Sequence, residues 1–200
     1  MFTPPAQKSN NLQISIRVEM DPQGGATLTH IVTNLAQNSI TVAPWALTVL
    51  AENGLEIIPQ NTEDTGLLPN RRIVAWPYTD LTDKRLFLGK EFITLKADTE
   101  VDCACKLGLD LHDGTALYVI GDTVFTKKYS HVKDGNYTDF GVSFETYTLR
   151  FLEIETLGEL IALAENESVA HTEQWKLGKT DAMPDPRNEA QLREFVKKYR

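Results

Sequence analysis

The sequence has few cysteines, no excess of positive charge and no long apolar run. Two cysteines only two residues apart, Cys103 and Cys105, cannot build a disulfide framework, so we expect a reducing, cytoplasmic environment. Acidic residues outnumber basic ones by 28 to 20, which gives a formal net charge of -8. Such a chain repels nucleic-acid phosphates and anionic lipid, and no apolar run approaches the roughly 20 residues of a membrane-spanning helix. We therefore expect neither nucleic acid nor a membrane as partner.

Motifs that bind cofactors or metals are also missing. The chain has no glycine-rich phosphate loop, no nucleophile elbow and no zinc-protease helix motif. The four histidines, none of them at a paired ligand spacing, are His30, His112, His131 and His171. The two thiols share one face of a predicted strand, where we expect both to be buried as small apolar groups. The sequence thus predicts no cofactor and no metal ion.

Alternating apolar and polar residues predict β-strands along most of the chain. Residues 12–20 have the period of a half-buried strand, so we expect their apolar side to be buried. Turn residues 21–25 join this strand to a second one, in which His30 is expected to be a hydrogen-bonded core residue. Pro44 predicts an edge, a bulge or a bend, and Gly121-Asp122 predicts a tight hairpin. These patterns favour an all-β antiparallel sandwich or barrel.

The C-terminal residues have a different pattern. Asp185 and Pro186 are typical of a helix cap and a first helical residue, and apolar residues then recur at helical spacing. We expect one β-sandwich domain over residues 1–178, followed by a linker and a C-terminal helix over residues 179–200. We expect that helix to dock on the sandwich or to be partly frayed, and a helix that binds a partner is the alternative.

Residues 141–148 contain the most informative polar pattern. Strand alternation directs Ser143, Glu145 and Tyr147 to the same face. A carboxylate between a hydroxyl and a phenol can act as a general base toward a sugar hydroxyl, which makes Glu145 the candidate catalytic residue. The alternative is a glutamate solvated on an exposed face, and solvation is what we expect for Glu155.

Aromatic and basic residues near predicted strand ends add candidates for ligand binding. Carbohydrate sites combine an aromatic platform with charged groups that hydrogen-bond to hydroxyls, although tryptophan also fills protein cores. The candidate ligand-binding residues are Trp45, Arg72, Trp76, Lys106, Lys127 and Tyr147.

Several motifs occur in an order that is informative as a set. They lie at residues 43–48, 69–72, 76–81 and 151–158, and residues 163–175 are similar to the closing strand of aldose epimerases. Together they resemble an uncharacterised bacterial family related to galactose mutarotase, over roughly residues 8–177. The resemblance implies a β-supersandwich fold that binds a sugar on its concave face.

The resemblance also implies roles for individual residues. In mutarotases a glutamate takes the proton of the anomeric hydroxyl while a histidine protonates the ring oxygen, and the resemblance maps that glutamate to Glu145. This chain has Pro44-Trp45 where the family has a histidine, and a tryptophan cannot donate a proton at neutral pH. Lys106, Lys128 or Tyr129 would have to replace it. Sugar binding is the expected function, and an aldose epimerase or a non-catalytic interaction module are the alternatives.

The resemblance covers only the second half of the family's sequence, and the first half is largely missing from this chain. Half a sandwich exposes sheet edges and apolar surface. We therefore expect the chain to associate with copies of itself, or its coding sequence to extend upstream of Met1.

Overall fold

The computed structural model describes residues 1–200 and contains fifteen β-strands and one α-helix. The strands are β1 (Leu12–Met20), β2 (Ala26–Asn34), β3 (Ile40–Val42), β4 (Trp45–Leu50), β5 (Leu55–Pro59), β6 (Ile73–Ala75), β7 (Leu86–Leu88), β8 (Phe92–Lys96), β9 (Cys105–Leu109), β10 (Thr115–Ile120), β11 (Thr123–Tyr129), β12 (Phe144–Thr148), β13 (Leu152–Leu157), β14 (Ile161–Leu163) and β15 (Ser168–Lys179). The helix, α1, comprises Glu189–Tyr199.

Two large sheets form the sandwich. The wide sheet has eight strands in the order β1-β2-β15-β11-β10-β5-β8-β7. The narrow sheet has five in the order β4-β13-β12-β9-β6, and β3 pairs with β14 alone. All paired strands are antiparallel. The prediction of an all-β antiparallel sandwich is therefore confirmed.

The main hydrophobic core lies between the two sheets and contains 15 buried residues. Leu95 of the wide sheet belongs to the same cluster as Leu107 and Phe144 of the narrow sheet. Because side chains alternate along a strand, the residues next to Leu107 and Phe144 point to the opposite, outer face of the narrow sheet. That outer face carries Lys106 on β9 and Glu145 on β12.

The helix covers part of the outer face of the wide sheet. Leu192 and Val196 are buried there in a second cluster with residues of the strands. The helix begins later than predicted, since Asn188 is its N-cap and accepts a hydrogen bond from the backbone of Gln191. Asp185 instead accepts a backbone hydrogen bond in the turn before the helix. With 11 residues, this helix is neither long nor apolar enough to cross a membrane.

The turns agree with the sequence pattern, but the apolar side of β1 does not. Residues 21–25 and Gly121-Asp122 connect antiparallel strands, and Pro44 separates β3 from β4 at the edge of the narrow sheet. The prediction that the apolar side of β1 is buried was wrong for most of the strand, because Ile14, Val18 and Met20 are exposed, although Leu12 is buried and Ile16 half-buried. The strand lies at the outer edge of the wide sheet, beyond the cover of the narrower one.

Candidate functional site

A cavity of about 390 Å³ lies on the outer face of the narrow sheet, and we name it the Glu145 cavity. This volume is within the usual range of small-ligand pockets, about 300–1,000 Å³. The cavity is lined by Thr41, Val42, Ala43, Trp45, Trp76, Lys106, Thr138, Asp139, Glu145, Leu157 and Leu160. The fold thus brings together Glu145 and three of the six predicted ligand-binding residues, which come from four separate segments of the chain.

Strand register explains why these side chains meet. Glu145 on β12 is directly opposite Glu155 on β13 and Gly108 on β9, so the two carboxylates are neighbours on one face. Lys106 lies two residues before Gly108 and therefore points to the same face. Gly108 leaves space for Trp76, because a Cβ atom there would lie 3.2 Å from the indole ring.

Lys106 is the centre of a charged network in the cavity. Its Nζ atom lies 2.7 Å from Glu145 Oε2 and 3.0 Å from Glu155 Oε2. Trp45 Nε1 donates a hydrogen bond of 2.7 Å to Glu155 Oε2. The ammonium also lies 4.8 Å from the ring centre of Trp76 and 5.1 Å from that of Trp45, within the range of cation–π interactions. The Lys106 ammonium thus forms ion pairs with two carboxylates and lies close to two indole rings.

Glu145 is the member of this network whose hydrogen bonding is incomplete. Its side chain is only 2% exposed, and Oε1 has no hydrogen-bond partner in the protein. Burial raises the pKa of Glu145 to about 7, although the ion pair with Lys106 opposes that change. For Lys106, burial favours the neutral amine, but Glu145 and Glu155 outweigh it and raise its pKa. At neutral pH the site therefore holds a charged lysine and a carboxyl group that is partly protonated.

Glu155 belongs to the same charged network, although it was not among the residues predicted for the site. Solvation was expected, but its side chain is fully buried because Lys106 and Trp45 enclose and hydrogen-bond its carboxylate. The sequence contained one indication of this network. Two glutamates that face each other across paired strands repel, so they need a nearby cation. The sequence spacing did not show which lysine supplies it.

Two further predicted ligand-binding residues, Tyr147 and Arg72, do not line the Glu145 cavity. Tyr147 is half-buried on the same face of β12, opposite Lys106, and its ring is 6.0 Å from that of Phe151. Arg72 is exposed and donates a hydrogen bond of 2.5 Å to the carbonyl oxygen of Gly141. Its guanidinium lines a different cavity.

Lys127 lies between the two sheets, away from the Glu145 cavity. Its side chain is fully buried, with Nζ 2.7 Å from Glu173 Oε1 and donating to Thr48 Oγ1 at 2.8 Å. Burial lowers the pKa of Lys127. Burial alone would raise the pKa of Glu173, but His30 and Lys127 outweigh it and lower that pKa to about 2. His30 Nε2 lies 3.3 Å from Glu173 Oε2, so the predicted hydrogen bond is present, but the His30 side chain is half-buried rather than a core residue.

The remaining candidates for a proton donor are also outside the cavity. Tyr129 is buried between the sheets with its hydroxyl 2.8 Å from Ser143 Oγ, and Lys128 is exposed on the wide sheet. Of the two cysteines, Cys105 is buried but Cys103 is exposed. The expectation of two buried thiols was therefore wrong for Cys103, which precedes β9 and follows no strand alternation.

Comparisons with known proteins identify the fold. No protein-family model matches the sequence, and no curated protein matches it. Among solved structures, an assigned aldose 1-epimerase from Klebsiella pneumoniae is 11% identical, with a TM-score of 0.54 over 98% of this chain and 52% of that chain. A galactose mutarotase-like protein from Lactobacillus casei is 13% identical, with a TM-score of 0.54 over 88% of this chain and 68% of that chain.

These similarities agree with the motifs noted in the sequence. Identities this low demonstrate a shared fold, and the chain spans between about half and two thirds of the length of the structures it matches. The chain therefore has the β-sandwich fold of the aldose 1-epimerase and galactose mutarotase-like proteins, over part of its full extent.

Proposed function

We propose that the Glu145 cavity binds a carbohydrate. The observation that carries this proposal is the buried Oε1 atom of Glu145, which lacks a hydrogen-bond partner beside two indole rings. An unpaired buried acceptor costs about 1–3 kcal/mol, and a ligand hydroxyl that donates to it would recover much of this cost. Few ligands other than sugars combine several hydroxyl donors with an apolar C–H face that can pack on tryptophan.

The arrangement of the cavity assigns a role to each contact. Glu145 accepts a hydrogen bond from a sugar hydroxyl, and the Lys106 ammonium can donate to a neighbouring sugar oxygen. Trp45 is 54% exposed and supplies a face on which the sugar ring can pack, while Trp76 covers Lys106 from the other side. The names of the proteins that share the fold, an aldose 1-epimerase and a galactose mutarotase-like protein, support a sugar as ligand by analogy.

Aldose epimerisation is the second candidate function. A pKa of about 7 is near the operating pH, which favours Glu145 as a general base toward an anomeric hydroxyl. Ring opening also needs an acid that protonates the ring oxygen. Lys106 is the only one of the three replacement candidates that lines the cavity, and its raised pKa keeps it charged, which suits charge stabilisation better than proton donation. Binding therefore ranks before catalysis.

Thermal unfolding with a panel of aldohexoses and aldopentoses tests the binding proposal. We expect at least one sugar to raise the unfolding temperature in a concentration-dependent manner, because a ligand that binds only the native state stabilises it by mass action. Glu145→Gln should abolish that shift. Glu153→Gln is the matched control, since Glu153 is on the same strand face as Glu155 but does not line the cavity.

The outcomes separate the three functions. A non-catalytic interaction module predicts no shift with any sugar, and this result would overturn the binding proposal. Magnetisation exchange between anomers, measured by NMR, tests catalysis separately. Epimerase activity predicts exchange faster than in buffer that is lost in Glu145→Gln, whereas binding without catalysis predicts a thermal shift and no added exchange.

A further inference from the structure

Two histidines and an aspartate meet at one end of the sandwich, away from the Glu145 cavity. Asp110 directly follows β9, His112 is two residues further on, and His131 is two residues after β11. The fold thus joins a loop of the narrow sheet to a loop of the wide sheet. One potential ligand atom from each residue lies within 4.8 Å of the others. These side chains line a separate cavity of about 750 Å³, which we name the histidine cavity.

Both histidines direct the same ring nitrogen at one carboxylate. Nε2 of His131 lies 2.7 Å from Asp110 Oδ1, and Nε2 of His112 lies 3.5 Å from Asp110 Oδ2. Ligand atoms around a tetrahedral Zn²⁺ ion with bonds of about 2.0–2.1 Å are about 3.3 Å apart. The two observed separations lie on either side of that value, and all three ligand atoms are within 4.8 Å of one another, so rotation of the side chains would have to bring them together around one ion.

Neighbouring residues hold the two histidine rings in this orientation. Glu63 Oε1 lies 2.6 Å from His112 Nδ1, so the other ring nitrogen, Nε2, can bind a metal ion. Metal-binding histidines commonly have such a carboxylate partner. The His131 side chain is only 4% exposed, and its ring stacks on Tyr137 with a centroid distance of 5.6 Å.

The loop that carries Asp110 and His112 is also held in place by hydrogen bonds. The buried side chain of Asn61 donates to the carbonyl oxygen of Asp110 at 2.7 Å and accepts from the backbone N–H of His112 at 3.0 Å. This pair of hydrogen bonds sets the spacing of the two residues before any ion binds, which reduces the conformational cost of binding.

We propose that Asp110, His112 and His131 bind a divalent transition-metal ion, with Zn²⁺ as the best-matched species. Imidazole and carboxylate ligands suit Zn²⁺, and three protein ligands leave a coordination position open toward the cavity. Arg72 lies 3.8 Å from Asp110 Oδ2, but half of its side chain is exposed, so it can move away from an incoming cation. The site is independent of the carbohydrate proposal, because the two cavities share no lining residue.

Calorimetric titration of the metal-free full chain with Zn²⁺ tests this proposal. We expect one ion per chain, and Co²⁺ in its place should give the visible absorption of a tetrahedral centre. His112→Gln should weaken Zn²⁺ binding by more than about a hundredfold, and Glu63→Gln by about 10- to 100-fold, as for the loss of an orienting partner. His30→Gln is the matched control, because its Nε2 also faces a carboxylate but outside the cluster.

Two histidine variants are needed, because one of them can fail to fold. His131 is buried, so His131→Gln can lose its fold, whereas the His112 side chain is 33% exposed and its replacement should leave the fold intact. Absence of Zn²⁺ binding by the wild-type chain, or equal affinity in His112→Gln, would show that the cluster is held by its own hydrogen bonds alone and would overturn the proposal.

Discussion

The ionisation of Glu145 should make the protein less stable as the pH rises toward neutrality. Burial raises its pKa in the folded chain from an ordinary value of 4.5 to about 7. In acid the carboxyl is protonated in both the folded and the unfolded chain, so the free energy of unfolding does not change with pH there. As the pH rises, the unfolded chain ionises first, so the free energy of unfolding falls between the unfolded pKa of 4.5 and the folded pKa of about 7 and levels off above the folded value.

The size of this effect follows from the two pKa values. A difference between 4.5 and about 7, at about 1.4 kcal/mol for each pH unit, corresponds to about 3 kcal/mol in the free energy of unfolding. Glutamine resembles the protonated carboxyl and does not titrate. Glu145→Gln should therefore be more stable than the wild type at about pH 8 by up to about 3 kcal/mol, and the difference should shrink toward about pH 5.

Urea unfolding of both proteins across this pH range measures the difference directly. Glu56, whose pKa burial raises to about 8, contributes to the pH dependence of both proteins and cancels in the comparison. Glu165→Gln, at an exposed glutamate, provides the control for the loss of a negative charge. Parallel stability curves for wild type and Glu145→Gln would contradict this prediction. So would a variant that is less stable than the wild type near pH 8, because loss of the ion pair with Lys106 would then outweigh the removal of the buried charge.

Three further predictions concern the rest of the sandwich. Lys127→Ala should destabilise the fold by about 3–5 kcal/mol in urea unfolding, because it leaves Glu173 buried without its cation; an effect below about 1 kcal/mol would contradict this account. Leu192→Ala should cost about 2–5 kcal/mol in the same assay, since it removes a buried anchor of α1, and an unchanged midpoint would show that the helix is not docked. Light scattering should give a molar mass above 22.4 kDa. Val49→Lys at the exposed edge strand should lower that mass to 22.4 kDa, whereas a monomeric wild type would exclude self-association.

Local features of the fold were predictable because local chemistry determines them. Pro44 interrupts a strand wherever the strand lies, since it lacks an N–H group and fixes φ. Gly121, with φ of 55°, closes the hairpin between β10 and β11 at little conformational cost. Period-two alternation likewise assigned Glu145 to one face of a strand, although it could not show what covers that face.

Features that depend on distant segments were not predictable. Most of the apolar side of β1 is exposed because this strand lies at the edge of the wider sheet. No pattern within residues 12–20 could show how many strands the opposing sheet has. Glu155 is buried because Lys106, far away in sequence, provides an ion pair. His112 and His131 showed no ligand spacing in the sequence, yet the two sheets bring their rings to a centroid distance of 4.9 Å.

The three tryptophan indoles offer the most direct measurement of sugar binding at the Glu145 cavity. Two of them, Trp45 and Trp76, line the cavity, while Trp175 donates to Glu173 between the sheets and serves as an internal control. In ¹H–¹⁵N NMR spectra recorded during a sugar titration, we expect the indole N–H signals of Trp45 and Trp76 to shift together and saturate while that of Trp175 stays in place. Three unmoved signals at high concentrations of every aldose in the panel would contradict sugar binding at the Glu145 cavity.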